Sequence, residues 1–326
     1  MKRAIALSKK GYPAPNPHVG CVLVKDGRII GEGCHRFAGG PHAEVVALKA
    51  AGDNARGATA FVTLEPCNHT GRTGPCSEAL IRAGVAEVYY AVGDPNPKAI
   101  GGGAELQAAG VTVRAGLCEV EARSANRQFL FAFESGRPLV VAKAAVTLDG
   151  RLALNNGASK WITGEAARAA GHSLRAELGA VLVGRRTVQM DDPELTARIK
   201  GVVNQPLRIV LDPDNLLLGT EKVFNKNAET WHITGRIDLP QVLVRLRESG
   251  RTGLLVEGGA TTLGRFMDAR LVDRLELFVS PKLFGSGKTW LEMAEIDDPT
   301  QALRVKDVTV TRIGEDLRIV STPAWN

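Results

Sequence analysis

His42, Glu44, Cys67 and Cys76 combine three metal-binding side chains with one that moves protons. Two thiolates and a neutral imidazole make a zinc set with no net charge. Three protein ligands leave one position of a tetrahedral ion open, as a catalytic site requires and a structural site does not. A zinc ion held in this way supplies an activated water near neutral pH. Glu44 stands two residues from His42, so it can share the site without being a ligand, carrying a proton from that water to a ring nitrogen and a departing amine. The chemistry expected is hydrolytic deamination of a pyrimidine-type ring. Two other readings compete with it. His-Ala-Glu can be a chance tripeptide with the cysteines as packing residues, or the zinc can be structural, with His69 as fourth ligand. The joint occurrence of Pro41-His-Ala-Glu44, Glu65-Pro-Cys67 and Pro75-Cys76 favours the catalytic set.

These residues need elements that bring them together. Residues two apart on a helix point to nearly opposite sides, so His42 and Glu44 can face one metal only if His42 stands at the very end of a helix. Pro41 suits that position. Cys76 follows Pro75 and opens an apolar periodic segment, where the positive end of a helix favours a thiolate. Cys67 closes a strand. The surrounding pattern predicts a hairpin over 19–35 turning at Asp26-Gly27, a helix over 42–52, a strand over 58–64, a helix over 76–83 and a strand over 87–92. A helix around 105–109, a strand over 111–114 and one helix over 119–134 complete this half. The alternation implies an α/β architecture with a largely parallel sheet after the opening hairpin.

Gly136-Arg137-Pro138 interrupts the pattern, which divides the chain into domains of 1–138 and 139–326. The second half also alternates. Strands are expected at 139–146, 180–184, 207–212, 229–233, 253–257, 274–280, 305–313 and 316–321, and helices at 164–178, 239–249 and 261–269. The last two strands read as an antiparallel hairpin at one edge.

Length and composition agree with this division. The chain has 326 residues, more than one hydrophobic core usually organises. With 44% apolar and 23% charged residues it is neither disordered nor fibrous in character. The apolar stretch after Lys2 and Arg3 is cut short by Ser8, Lys9 and Lys10, so neither a signal peptide nor a transmembrane helix is expected, and no membrane partner. The net charge of +6 forms no basic run, which argues against nucleic acid and for small anionic substrates such as phosphates. Five cysteines, an odd set in mostly apolar contexts, suit a reducing compartment, and a cytoplasmic location is expected.

The first half resembles the cytidine-deaminase-like family, and within it one branch. Eight residues separate Cys67 from Cys76, where nucleotide and transfer-RNA deaminases usually place two. That long loop, together with Pro15-Asn-Pro17, Val19-Gly-Cys-Val22 and Asp94-Pro-Asn-Pro97, resembles the deaminase half of the bifunctional riboflavin-biosynthesis deaminase and reductase family. The second half resembles the same family's reductase through Lys143-Ala-Ala-Val-Thr-Leu-Asp-Gly150, Ser159-Lys-Trp-Ile-Thr163, Asp191-Asp-Pro-Glu-Leu-Thr196 and Val256-Glu-Gly-Gly259.

The resemblance implies a cytidine-deaminase-like three-layer α/β/α domain followed by a dihydrofolate-reductase-like α/β domain. Its implied cofactors are one Zn2+ per chain and NADPH, and its implied substrates are small phosphorylated pyrimidines. The reaction it implies is deamination of 2,5-diamino-6-(5-phosphoribosylamino)pyrimidin-4(3H)-one, then reduction of the ribosyl group to ribityl. Asn16, His35, His69 and Arg72 would hold the deaminase substrate, with Arg72 and His35 nearest its phosphate. Ala145, Trp161, Thr187, Asp191 and the stretch Gly259, Ala260, Thr261, Thr262, Leu263, Gly264 and Arg265 would contact NADPH. Ser159, Arg175, Leu195, Arg198 and Glu257 would contact the reductase substrate, and Asp191 would orient or protonate the opening ribose. A homo-oligomer is expected. Asn68 stands where the family commonly has serine, and the 198–206 loop is shorter than in some members. The alternatives are a zinc deaminase fused to a reductase for another pterin-like or sugar substrate, and a non-catalytic zinc-stabilised binding module, in which Glu44 would have no role.

Overall fold

The computed structural model describes residues 1–69 and 74–325. It comprises two compact units, Met1–Gly136 with Gly201–Asn204, and Arg137–Lys200 with Gln205–Asn326.

The first unit contains α1 (Lys2–Ser8), β1 (Gly20–Lys25), β2 (Arg28–Cys34), α2 (Ala43–Ala51), β3 (Thr59–Leu64), α3 (Cys76–Arg82), β4 (Glu87–Val92), α4 (Gly102–Ala108), β5 (Thr112–Ala115), α5 (Glu119–Ala125) and α6 (Arg127–Glu134). Its sheet runs β2-β1-β3-β4-β5, antiparallel through the hairpin and parallel from β3 to β5. Asp26 and Gly27 both have positive φ (50° and 74°), the geometry that a two-residue hairpin turn demands. Alternation along β1 sends its side chains to opposite faces. Val22 packs with Ala4 and Leu7 of α1, whereas Cys21 and Leu23 join a core that includes Ala47, Val62, Leu80, Val88 and Leu106.

Two elements differ from expectation. The helix α4 begins at Gly102, earlier than the pattern suggests, because glycines contribute neither helix propensity nor periodicity. The run 119–134 is two helices, not one. It breaks at Asn126 (φ −110°, ψ 17°), whose buried side chain bonds the main chain of His18.

The second unit contains β6 (Leu139–Thr147), β7 (Arg151–Ala153), α7 (Glu165–Leu178), β8 (Ala180–Gly184), α8 (Arg185–Asp191), β9 (Leu207–Asp212), β10 (Thr230–Thr234), α9 (Leu239–Glu248), β11 (Gly253–Val256), α10 (Ala260–Asp268), β12 (Arg274–Ser280), β13 (Lys288–Thr289), β14 (Val305–Ile313) and β15 (Asp316–Pro323). Its main sheet has the order β10-β9-β8-β11-β6-β12-β15-β14. The strands are parallel from β10 to β12, and β15 and β14 close the edge antiparallel. Strands β8, β9 and β11 are buried along nearly their whole length, which explains their unbroken apolar runs. The pair β7 and β13 is too short to leave a periodic signal, and α8 is a single short helix. Among the described residues no helix is long and apolar enough to cross a membrane.

Candidate active sites

His42 is the residue before α2 and has an extended backbone (φ −71°, ψ 158°), whereas Glu44 lies in the first helical turn. Leaving the helix at that point lets two residues of unfavourable spacing turn toward one cavity. Cys67 follows the end of β3, and Cys76 opens α3. His42 Nδ1 lies 3.2 Å from Cys76 Sγ and 3.5 Å from Cys67 Sγ. The three ligand atoms are all within 4.8 Å of one another, and among the described residues no fourth His, Cys, Asp or Glu joins them. Two soft sulfurs and one imidazole nitrogen around a common point fit zinc, and the missing fourth protein ligand fits a catalytic site. His69 lines the cavity but stands outside the ligand group.

The turn that carries Cys67 is held from behind. Its carbonyl accepts from the Ser77 amide at 3.3 Å, and the Ser77 hydroxyl donates to Asn68 Oδ1 at 2.8 Å. Asn68 thereby ties the turn to α3. Glu65 accepts from the amides of Gly103 (3.0 Å) and Asp94 (3.3 Å), which ties it to α4 and to the end of β4. Gly102 makes this approach possible, since a Cβ there would stand 1.8 Å from the Pro66 carbonyl oxygen.

Beside the ligands is a cavity of about 160 Å³ lined by Asn16, His35, Glu44, His69, Asp94, Asn96 and Phe129, among others. Glu44 is 3% exposed. Burial pushes its carboxyl up to about 7, and the Cys67 sulfur adds to the rise. Cys67 itself is drawn well below the ordinary thiol range, chiefly by its hydrogen bond with Cys76. His35 Nδ1 lies 3.0 Å from the Pro41 carbonyl and must donate to it, so Nε2 is left to accept from the Asn16 amide at 3.0 Å. Burial lowers the pKa of His35, in keeping with this neutral form. Arg72 lies outside the described residues. Sequence reasoning missed Asp94 as a lining residue, although it opens the Asp94-Pro-Asn-Pro97 motif; burial raises its carboxyl to about 6.

In the second unit a cleft of about 370 Å³ opens where β8, β9 and β11 end and α8 and α10 begin. Thr187, Asp191, Gly259, Ala260, Thr261, Thr262 and Arg265 line it, as do Ser159 and Glu257. Gly258 lets Thr262 approach, because a Cβ there would meet the Thr262 Cβ at 2.5 Å. Leu263 and Gly264 turn away from the cleft. Leu263 is fully buried in the core, and a Cβ on Gly264 would strike the Glu292 carbonyl. Helical periodicity explains this, since consecutive residues of α10 cannot all face one cleft. Ala145 lies on β6 and Trp161 is 66% exposed with Arg168 over its ring at 4.8 Å; neither is among the cleft-lining residues.

Arg175 donates to both carboxylate oxygens of Glu257, at 2.7 and 2.9 Å, and Lys143 stands 3.7 Å from the same group. Burial alone would raise Glu257, but Arg175 and then Lys143 hold it down at about 2. Lys143 was not singled out from the sequence as a site residue. Its signal was a lone cation inside an apolar strand. Leu195 is buried with φ +55°, and Arg198 bonds Glu194 and Thr196 beside it, off the cleft wall. Asp191 accepts from Ser159 Oγ at 3.3 Å.

Each half of the chain matches a known protein family. The family model for the cytidine and deoxycytidylate deaminase zinc-binding region matches residues 1–92, and that for the RibD C-terminal domain matches residues 138–319. The riboflavin biosynthesis protein RibD of Aquifex aeolicus is 43% identical, covering 98% of this chain and 96% of the relative. The chain belongs to the RibD family. The solved RibD of Acinetobacter baumannii superposes with a TM-score of 0.91 at 40% identity, over 99% of this chain and 98% of that one. A Thermotoga maritima structure described as a diaminohydroxyphosphoribosylaminopyrimidine deaminase/5-amino-6-(5-phosphoribosylamino)uracil reductase gives 0.87 at 36% identity, over 99% and 97%.

As a member of this family, the chain is a bifunctional deaminase and reductase of riboflavin biosynthesis, with a zinc-binding deaminase domain and an NADPH-dependent reductase domain. The α/β class expected of both halves holds, with a cytidine-deaminase-like domain first and the reductase domain second. RibD membership leaves no support for a non-catalytic zinc module or for a reductase of unrelated substrate.

Proposed function

We propose that residues 1–138 deaminate 2,5-diamino-6-(5-phosphoribosylamino)pyrimidin-4(3H)-one and that residues 139–326 then reduce the ribosyl group of the product to ribityl. The observation that carries this reading is the convergence of His42, Cys67 and Cys76 on an open position beside the buried carboxyl of Glu44. Zinc, when bound by these three residues, supplies an activated water. Glu44 would carry one proton from that water to the ring nitrogen and then a second, from the hydroxyl left on the ring carbon, to the amino group, which departs as ammonia as the carbonyl forms. A carboxyl held near neutrality is suited to both transfers. Asn16 and His35 form one hydrogen-bonded edge of the cavity and His69 another, while Arg72 would take the phosphate through its planar fork.

In the reductase, the backbone at Gly258 and Gly259, just before α10, offers amides to a cofactor phosphate. NADPH, when bound there, supplies the hydride. Glu257 lines the cleft and would face the substrate, its charge held by Arg175 and Lys143, which are not among the lining residues. Asp191, held by Ser159, orients the opening ribose. Five free cysteines suit a cytoplasmic location. The exposed edge strand β14 supports a homo-oligomer.

A coupled assay with both products resolved tests the reading. Ammonia release should precede NADPH oxidation, and the deaminated compound supplied directly should be reduced without any lag. NADPH oxidation that fails with the deaminated compound, or ammonia release that survives complete zinc removal, would refute it.

A further inference from the structure

We propose that Asn126 is a positioning residue of the deaminase, fixing the 13–19 loop so that Asn16 and His35 meet the substrate in one arrangement. The proposal rests on reading Asn16 and His35 as substrate-binding residues.

Asn126 breaks an otherwise continuous helical stretch between α5 and α6 and is 1% exposed. Its Oδ1 accepts from the His18 amide at 2.7 Å, and its Nδ2 donates to the His18 carbonyl at 2.8 Å. The side-chain amide therefore pairs with one residue of main chain as a neighbouring strand would, which sets both position and orientation. The other bond to that carbonyl, from Thr63 Oγ1, is 3.5 Å long and correspondingly weak. Two residues before His18 is Asn16, whose amide donates to His35 Nε2 at 3.0 Å. His35 is in turn held at Nδ1 by the Pro41 carbonyl. Pro41 directly precedes the ligand His42. Three residues beyond Asn126, Phe129 reaches the same cavity from α6. One buried amide thus links the helix break that places Phe129 to the loop that places Asn16.

Only an amide carries a donor and an acceptor in this fork. Aspartate, of the same shape, accepts twice, so Asn126→Asp would set a carboxylate oxygen against the His18 carbonyl. In the full-length, zinc-loaded protein this substitution is expected to raise the deaminase KM about tenfold while kcat stays within about threefold. Zinc content and reductase kinetics on the deaminated compound should not change. Asn126→Ser, which retains one hydrogen-bonding group and buries no charge, should give a smaller rise in KM and serves if the aspartate variant folds poorly. Loss of zinc, or of both activities together, in both variants would mark Asn126 as an ordinary core residue and overturn the proposal. Asn16→Ala separates the two claims. If it raises KM while neither Asn126 variant does, the positioning role is wrong and the substrate loop stands. If Asn16→Ala leaves KM unchanged, the reading of the loop fails and the proposal falls with it.

Discussion

Glu44 is buried and Glu257 only partly exposed, and their neighbours push the two carboxyls in opposite directions. Glu44 has burial and the Cys67 sulfur against ionisation and sits near 7, whereas Arg175 and Lys143 overcome burial to hold Glu257 at about 2. The first is built to exchange a proton and the second to keep a charge. Replacing Glu44 by Gln preserves shape but removes the exchange. Deaminase kcat should fall about 10²- to 10⁴-fold, with zinc content and reductase rate unaltered, as metal analysis and the two separate assays would show. For Glu257 the folded pKa lies below the ordinary value of 4.5, so its contribution to stability is complete above that value and fades as pH falls toward 2. The shift is worth about 3 kcal/mol at neutral pH. Glu257→Gln should therefore destabilise the reductase unit at pH 7 in denaturant melts. Its deficit relative to wild type should shrink between about pH 4.5 and 2; a deficit independent of pH would show that the carboxylate charge is not what Arg175 and Lys143 reward.

At the scale of elements, the zinc ligands depend on how closely a helix can approach a turn. The α4 helix reaches the Pro66 carbonyl only because residue 102 lacks a Cβ, and from there the Gly103 amide anchors Glu65, two residues before Cys67. Gly102→Ala should push α4 outward and loosen that turn. The expected result is weaker zinc retention during dialysis against a chelator, with NADPH oxidation on the deaminated compound unimpaired. Unchanged zinc retention would show that the turn is held by Ser77 and Asn68 alone. Such dependencies were not legible beforehand. The hairpin at Asp26-Gly27, the strands and helices with strong periodicity and the grouping of His42, Cys67 and Cys76 could all be read from residue type and spacing. The close approach at Gly102 could not, because a glycine has no side chain to reveal what it packs against. Nor could the break at Asn126, since apolar residues continue at helical spacing on both sides of it. Lys143 was hidden for a different reason. A cation in a central strand makes sense only once Glu257, more than a hundred residues away, is seen beside it.

For the whole molecule, the eight-stranded sheet ends on two edge strands, β10 and β14. Among the described residues β14 pairs on one side only, and all of its residues except the last are exposed. Val308 and Val310, on one face, are 54% and 56% exposed. Proteins protect long apolar edges with charge, proline, bulges or a covering element. Here an irregularity between Lys306 and Thr309, with Asp307 at φ +54°, disturbs only the start of the strand. The remainder presents free main-chain groups beside exposed valines, a surface that a second copy of the same strand can meet in a self-complementary way. The purified chain should therefore sediment as a dimer or larger closed assembly. A double substitution, Val308→Lys with Val310→Lys, sets like charges directly across a two-fold contact and should shift it toward monomer at micromolar concentration. Both side chains are exposed, so the thermal unfolding of each subunit's own core should change little. A wild-type chain that remains monomeric at high concentration, or a double variant that stays assembled, would show that β14 is not the contact.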